Sequence, residues 1–280
     1  NNDFIWARGL RNPFSFTFQP GTQQLWINVV GNLQEQIFKV NRGDHAGWNL
    51  YENNQPAGLI TPVIKYRTNN FEQFNLAGTG GAVRGANSVT ITTTTAHGFR
   101  KGEQITLAGV SDASFNGTYY VASTPISTTF TYSQSGPDAT SGGGTAATQT
   151  LGGCVTGGCF YDSTGFAPAY QGNFFFTDIN PPQRIVRVTL DGSNNPQTVD
   201  SFATGTGQAL DMSVGPDGDL YYATYLGVVR RYSYNYAAQQ LIVTPANLRI
   251  PDGGSGAVCV RLAQAPVADV TVDVAVTAGD

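Results

Sequence analysis

Charge is what this sequence has least of: only 12% of its 280 residues are charged, and 15 basic against 19 acidic residues leave a formal net charge of −4. Neutralising phosphates takes a basic stripe, and no run of Lys or Arg occurs, which excludes nucleic acid as a partner. No stretch reaches the ~18 consecutive apolar residues of a membrane helix. The chain also opens at Asn1 without a Met, a basic n-region or an apolar h-region, so neither a bilayer span nor an export signal is expected within it. That opening reads as a processed end or as part of something longer. Cysteines are scarce as well. Cys154, Cys159 and Cys259 are too few for a disulfide scaffold and leave at least one thiol unpaired. Cys154 and Cys159 enclose a strand-like VTGG that would point them apart, so no bridge is expected between them. Disorder is excluded by 40% hydrophobic and 11% aromatic residues set in apolar runs. Abundant Thr, Ser, Asn and Gly with few Lys and Glu fit an exported β protein.

Helical periodicity is absent, and short β-branched or aromatic runs are bounded by Gly, Pro, Asn and Asp, so the fold class is all-β. Three stretches, 14–40, 159–190 and 210–234, share one layout of apolar strand, tight turn, aromatic strand, loop and apolar strand. Pro20 and Pro216 preset the first turn position, and Gly21 and Gly218 supply the positive φ that reverses the chain. Phe175 and Tyr221, on equivalent aromatic strands, lie 46 residues apart, within the range of a propeller blade. Each unit must stack on neighbours to bury Phe16, Trp26, Phe175, Ile185, Leu220 and Val229. A propeller does this radially, and three blades do not close a ring of four to eight. Further blades from elsewhere in a longer polypeptide are therefore expected.

The pattern breaks at Gly78. From there NSVTITTTT, EQITLAG, GTYYVAS and TTFTYSQS alternate as four short strands, with Gly109, Gly117 and Gly136 at turns, forming a small β module inserted into a loop. After Asn235 a third composition begins, and VTVDVAV alternates strictly, as at the start of a β-sandwich. The expected domains are 1–77 (blades, first part), 78–148 (inserted module), 149–236 (blades, second part) and 237–280 (truncated sandwich).

GLRNPFSFTFQP, GNLQEQI, GDHAGWNLYE, VTGGCFY, AYQGNFFFTD and GPDGDLYYATYLGVVRRYSY resemble the later blades of the soluble quinoprotein sugar dehydrogenases. These are also called glucose/sorbosone dehydrogenases and are related to the Hedgehog-interacting-protein-like propellers. The resemblance covers residues 4–66 and 152–235 and implies a partial β-propeller, about three blades of a six-bladed ring. The insert is similar to small β modules of phage tail and bacterial surface proteins, and the tail to Calx-β or immunoglobulin-like repeats. Together they imply a multidomain, bacterial, extracellular protein, with further domains of the same polypeptide among its partners.

Enzymes of that family bind pyrroloquinoline quinone (PQQ) with calcium, and an early-blade His removes the sugar hydroxyl proton. Any such His lies outside this sequence, so no catalytic residue is assigned. The resemblance places cofactor binding at Arg11, Asn12 and Glu35, and calcium on the carbonyls of Gly31 and Asn32. Read without it, Arg11 ties one blade to the next and Gly31 is a turn glycine. Two cofactor-binding Arg of the family correspond to Gln208 and Leu210, ahead of Asp211, and its Lys falls in Ile179–Arg184, where there is none. His45 and His97 read as loop residues with a backbone partner. Asp217 and Asp219 belong to a hairpin turn, and Asn116 opens a glycosylation sequon.

Two functions stand side by side. One is a secreted propeller whose pocket has lost the cations a trianionic quinone needs, serving as a carbohydrate- or protein-binding or scaffold module. The other is an active PQQ- and calcium-dependent aldose dehydrogenase completed by missing blades. Fold alone does not choose between them.

Overall fold

The computed structural model describes residues 4–22, 24–52, 55–68, 72–99, 101, 103–148 and 151–275. They form an all-β protein of antiparallel sheets, in which the helical pieces are two single 3₁₀ turns, Ala113–Phe115 and Pro168–Tyr170. Among the described residues, no helix is long and apolar enough to cross a membrane.

The first sheet runs in sequence order through β1 (Pro13–Phe18), β2 (Leu25–Val29), β3 (Gln34–Val40) and β4 (Ile64–Arg67). Its first turn closes at Gly21, with φ of +71°, so that Phe18 pairs with Leu25 and Thr17 with Trp26. Next come β5 (Gln73–Asn75), β6 (Ala82–Gly85), β7 (Ser88–Thr92), β8 (Gln104–Ala108), β9 (Gly117–Tyr120), β10 (Ser123–Ile126), β11 (Thr129–Ser133), β12 (Ala139–Ser141) and β13 (Thr145–Thr148). They make two sheets, ordered β10-β11-β7-β6-β12 and β5-β13-β8-β9. Alternation along SVTIT turns Val89 and Ile91 inward, where Ile105, Phe115, Phe130 and Tyr132 complete a separate core. This unit begins at β5, ahead of Gly78, because Phe74 already packs on that core and β5 pairs with β13.

The chain then returns as a second four-stranded sheet, β14 (Val155–Phe160), β15 (Phe174–Asp178), β16 (Arg184–Leu190) and β17 (Pro196–Thr204). A three-stranded sheet follows, β18 (Ala209–Val214), β19 (Leu220–Thr224) and β20 (Val229–Tyr232). The starting strands β1, β14 and β18 lie side by side. Ser15 Oγ and Asn28 Nδ2 both donate to the Thr156 carbonyl, at 2.7 and 2.8 Å, and Thr156 Oγ1 donates to the Ala209 carbonyl at 2.8 Å. Such close approach requires glycine: a Cβ on Gly157 would sit 2.3 Å from Asp211 Cα. Period-two alternation then divides the FFF of β15 between two seams. Phe174 and Phe176 join Trp26, Ile37 and Tyr66 against the first sheet, and Phe175 joins Ile185, Met212 and Leu220 against the three-stranded sheet.

Four of the six residues expected to be buried by stacking are buried: Trp26, Phe175, Ile185 and Leu220. Phe16 and Val229 are not, being 67% and 69% exposed. No described sheet covers the outer face of β1, and Val229 stands on the edge strand β20. The tail forms one hairpin, β21 (Leu241–Thr244) with β22 (Cys259–Leu262), seated on the loop after β14 through Thr164 N to Val243 O at 3.1 Å and a buried Ile242. Residues 270–275, within the alternating VTVDVAV, carry no strand, because no partner edge lies beside them among the described residues.

Candidate functional site

The segments entering β1, β14 and β18 gather at one end of the sheets, together with the β2–β3 and β15–β16 loops. Links between the sheets fix this alignment: Val155 N donates to Glu35 Oε2 at 2.9 Å, and Thr206 N to the Gln183 carbonyl at 3.2 Å. Arg11, Asn12, Gly31, Asn32 and Glu35 all stand at this mouth, with Gln208 and Leu210 entering β18 beside them.

Each has local ties. Arg11 Nη1 donates to the Val30 carbonyl at 3.0 Å, its Nε lies 3.7 Å from Glu52 Oε1, and its guanidinium stands 5.5 Å from the Trp48 ring. Asn12 uses its main chain, whose carbonyl accepts from Val30 N at 2.9 Å. Gly31 is required by space, since a Cβ there would fall 1.7 Å from the Gln34 carbonyl oxygen. The Asn32 amide donates to Glu52 Oε1, and its carbonyl accepts from Thr68 Oγ1 at 3.0 Å.

Behind these residues lie two fully buried carboxylates. Glu35 Oε1 makes no hydrogen bond of good geometry, but the Gly31 amide and the Arg11 guanidinium lie near enough to favour the ionised carboxyl. Burial pushes the Glu35 carboxyl up to about 7; the Val155 amide opposes this, and the charge of Asp178 adds to it. Asp178, at the end of β15, accepts from Gly153 N and Asn180 N, both at 3.0 Å, from Cys154 N, and from the Tyr66 hydroxyl at 2.6 Å. Burial nevertheless raises its carboxyl above the usual range. Glu35 and Asp178 thus hold three consecutive amides, Gly153 to Val155, at the start of β14. Cys154 stands between them, and burial reinforced by both charges pushes its thiol up to about 11, too high for a nucleophile at neutral pH. Arg184 faces Asp178 across the β15–β16 pair.

Asp178, Tyr66 and Glu52 escaped sequence reading. A lone Asp closing an aromatic strand was the available signal for the first, but only tertiary contacts give these residues a common site. The other candidates lie elsewhere. His45 Nδ1 accepts from Gly47 N at 2.8 Å, and His97 Nδ1 from Phe99 N at 2.9 Å inside the inserted unit. Asp217 accepts from Asp219 N and from the Tyr221 hydroxyl. Both side-chain atoms of Asn116 are bonded to the Val110 main chain. All three cysteines are free. Among the described residues, no group of three or more His, Cys, Asp or Glu could hold a metal ion.

The cations at the mouth are Arg11, bonded to a carbonyl and faced by Glu52, and Arg184, faced by Asp178; the Nε of each is buried without a hydrogen-bond partner, as is Glu35 Oε1.

Neither a family model nor a curated protein matches the chain. Among solved structures it is similar to a glucose dehydrogenase, with a TM-score of 0.46 and 14% identity over 84% of this chain and 46% of that one. It is also similar to the apo-form of the soluble aldose sugar dehydrogenase of Escherichia coli (0.40, 18%, 79% and 43%). A third similarity is to the PQQ-bound form of an aldose sugar dehydrogenase from Streptomyces coelicolor (0.38, 13%, 79% and 39%). The chain spans less than half the length of each.

Proposed function

We propose that the three sheets joined at β1, β14 and β18 are blades of a propeller of the quinoprotein sugar-dehydrogenase type, and that its mouth no longer holds PQQ. The chain then acts as a carbohydrate- or protein-binding scaffold within a larger exported protein. Side-by-side inner strands with up-and-down sheets radiating from them support the propeller reading. The charge balance at the mouth carries the functional one: Arg11 is set against Glu52 and Arg184 against Asp178, and uncharged Gln208 and Leu210 stand where the resemblance implies cations. Export rests on composition.

The second reading, a PQQ- and calcium-dependent aldose dehydrogenase, is favoured by the presence of Arg11, Asn12, Gly31 and Asn32 together at the mouth. The full-length protein, supplied with PQQ, calcium, several aldoses and an artificial electron acceptor, decides between them. Neither quinone binding nor dye reduction is expected; either one overturns the scaffold reading.

A further inference from the structure

We propose that residues 270–275 close onto the outer edge of β20 as a fourth strand of the three-stranded sheet. The two sheets stacked before it have four strands each, and among the described residues the outer edge of β20 pairs with no strand. Such an edge presents a row of unpaired N–H and C=O groups, a template for an extended segment. The chain that follows β20 does not fill the place. It turns away to the tail hairpin, where the Tyr234 ring stands 6.1 Å from Phe166 and the Tyr236 hydroxyl donates to the Gly165 carbonyl. Residues 270–275 are the complementary case, an alternating segment that carries no strand and leaves Val270, Val272 and Val274 exposed.

Reach and alternation select this segment. Asp219 joins the end of β20 to the tail hairpin: its Oδ2 accepts from Ser233 Oγ at 2.6 Å, and its Oδ1 lies 3.6 Å from Arg261 Nη2 on β22. The tail therefore leaves β22 near the last residue of β20. Fully extended, the chain from Leu262 to Val270 spans about 26 Å, enough to turn and run back along the edge antiparallel to β20. Register puts Arg230 and Tyr232 on the face that carries Leu220 and Tyr222, toward the seam with the preceding sheet, and Val229 and Arg231 on the outer face with Tyr221 and Ala223. The rim of that seam is unfinished: Phe202 and Tyr232, with ring centroids 5.4 Å apart, are only partly buried. Alternation turns Val270, Val272 and Val274 to one face, where they extend this rim, and Thr271 and Asp273 to the outer face with Arg231. A register slipped by one residue would put Asp273 in the seam and the valines in solvent. The inference is independent of how the mouth is read.

The test is hydrogen exchange, read by mass spectrometry, on the full-length protein and its Val272→Pro and Val272→Thr variants. Proline removes a main-chain donor and resists strand pairing, whereas threonine keeps both the donor and the β preference. Val272 is exposed and lies in no strand of this structure, so both variants should fold. Exchange at 229–232 and at 270–275 is expected to be slow in the unsubstituted protein and in Val272→Thr. In Val272→Pro it should rise at both by about tenfold, the scale of one or two main-chain hydrogen bonds, while Ala209–Val214 stays protected. Unchanged exchange at 229–232 in Val272→Pro would overturn the proposal, as when 270–275 pairs within a separate sandwich instead. Protection that grows with protein concentration would overturn it too, because the added strand would then come from a second copy.

Discussion

β1 and β14 occupy equivalent places at the start of neighbouring sheets, yet the more hydrophobic of the two is the more exposed. β1 reads PFSFTF and has no fully buried residue, while β14 reads VTGGCF and is buried throughout. β14 is flanked by β1 on one side and β18 on the other; β1 has a described neighbour on one side only. Burial in such stacked sheets is thus a property of a strand's neighbours more than of its own composition. The strand with neighbours on both sides has become glycine-rich because side chains would not fit.

Substitutions can break this comparison. Trp26→Ala, in the seam where the ring lies 5.3 Å from Phe160 and 5.0 Å from Phe174, should cost roughly 3–5 kcal/mol in urea unfolding. Gly157→Ala should cost about 3 kcal/mol or prevent folding, because the new methyl meets main chain rather than a side chain that can turn away. If it folds with unchanged stability, the β14–β18 contact is looser than described.

Glu35 spans the same seam, and its contribution depends on pH. Its carboxyl titrates near 4.5 when unfolded and about 7 when folded, so the folded state binds more protons between those values and stability falls as pH rises through them. The cost is absent below about 4.5 and complete above about 7, roughly 3 kcal/mol. Urea midpoints between pH 4.5 and 7.5 should show this slope, and Glu35→Gln should remove most of it, leaving the part due to the raised Asp178. An equally steep slope in the variant would assign the proton elsewhere. Phe16→Ser should change stability by no more than ~0.5 kcal/mol, as for other exposed positions. A loss of several kcal/mol would mean that something covers the outer face of β1 in solution.

Strands and turns were legible because their causes are local. Pro20–Gly21 and Gly218 place their reversals from dihedral preference alone, and the aromatic strands around Trp26, Phe175 and Tyr221 become the second strand of each sheet. The inward face of SVTIT follows from alternation. At the mouth, Arg11, Asn12, Gly31, Asn32 and Glu35 could be placed together through the resemblance, but not their partners. Glu52, Tyr66 and Asp178 come from segments whose sequence gives no sign of a shared location. Residues 270–275 show the opposite failure, a strong strand pattern that carries no strand where no edge lies alongside among the described residues.

Composition and alternation by themselves determined that this chain is all-β, where it turns and which unit carries its own core, since φ preference and side-chain period act within a few residues. The tertiary structure alone decided that Phe16 faces outward, that Glu35 holds its proton toward neutrality, and that Lys65 and Lys101, far apart in sequence, line one cleft. Solvation and charge depend on what stands across a seam, and a seam joins residues that no local pattern connects.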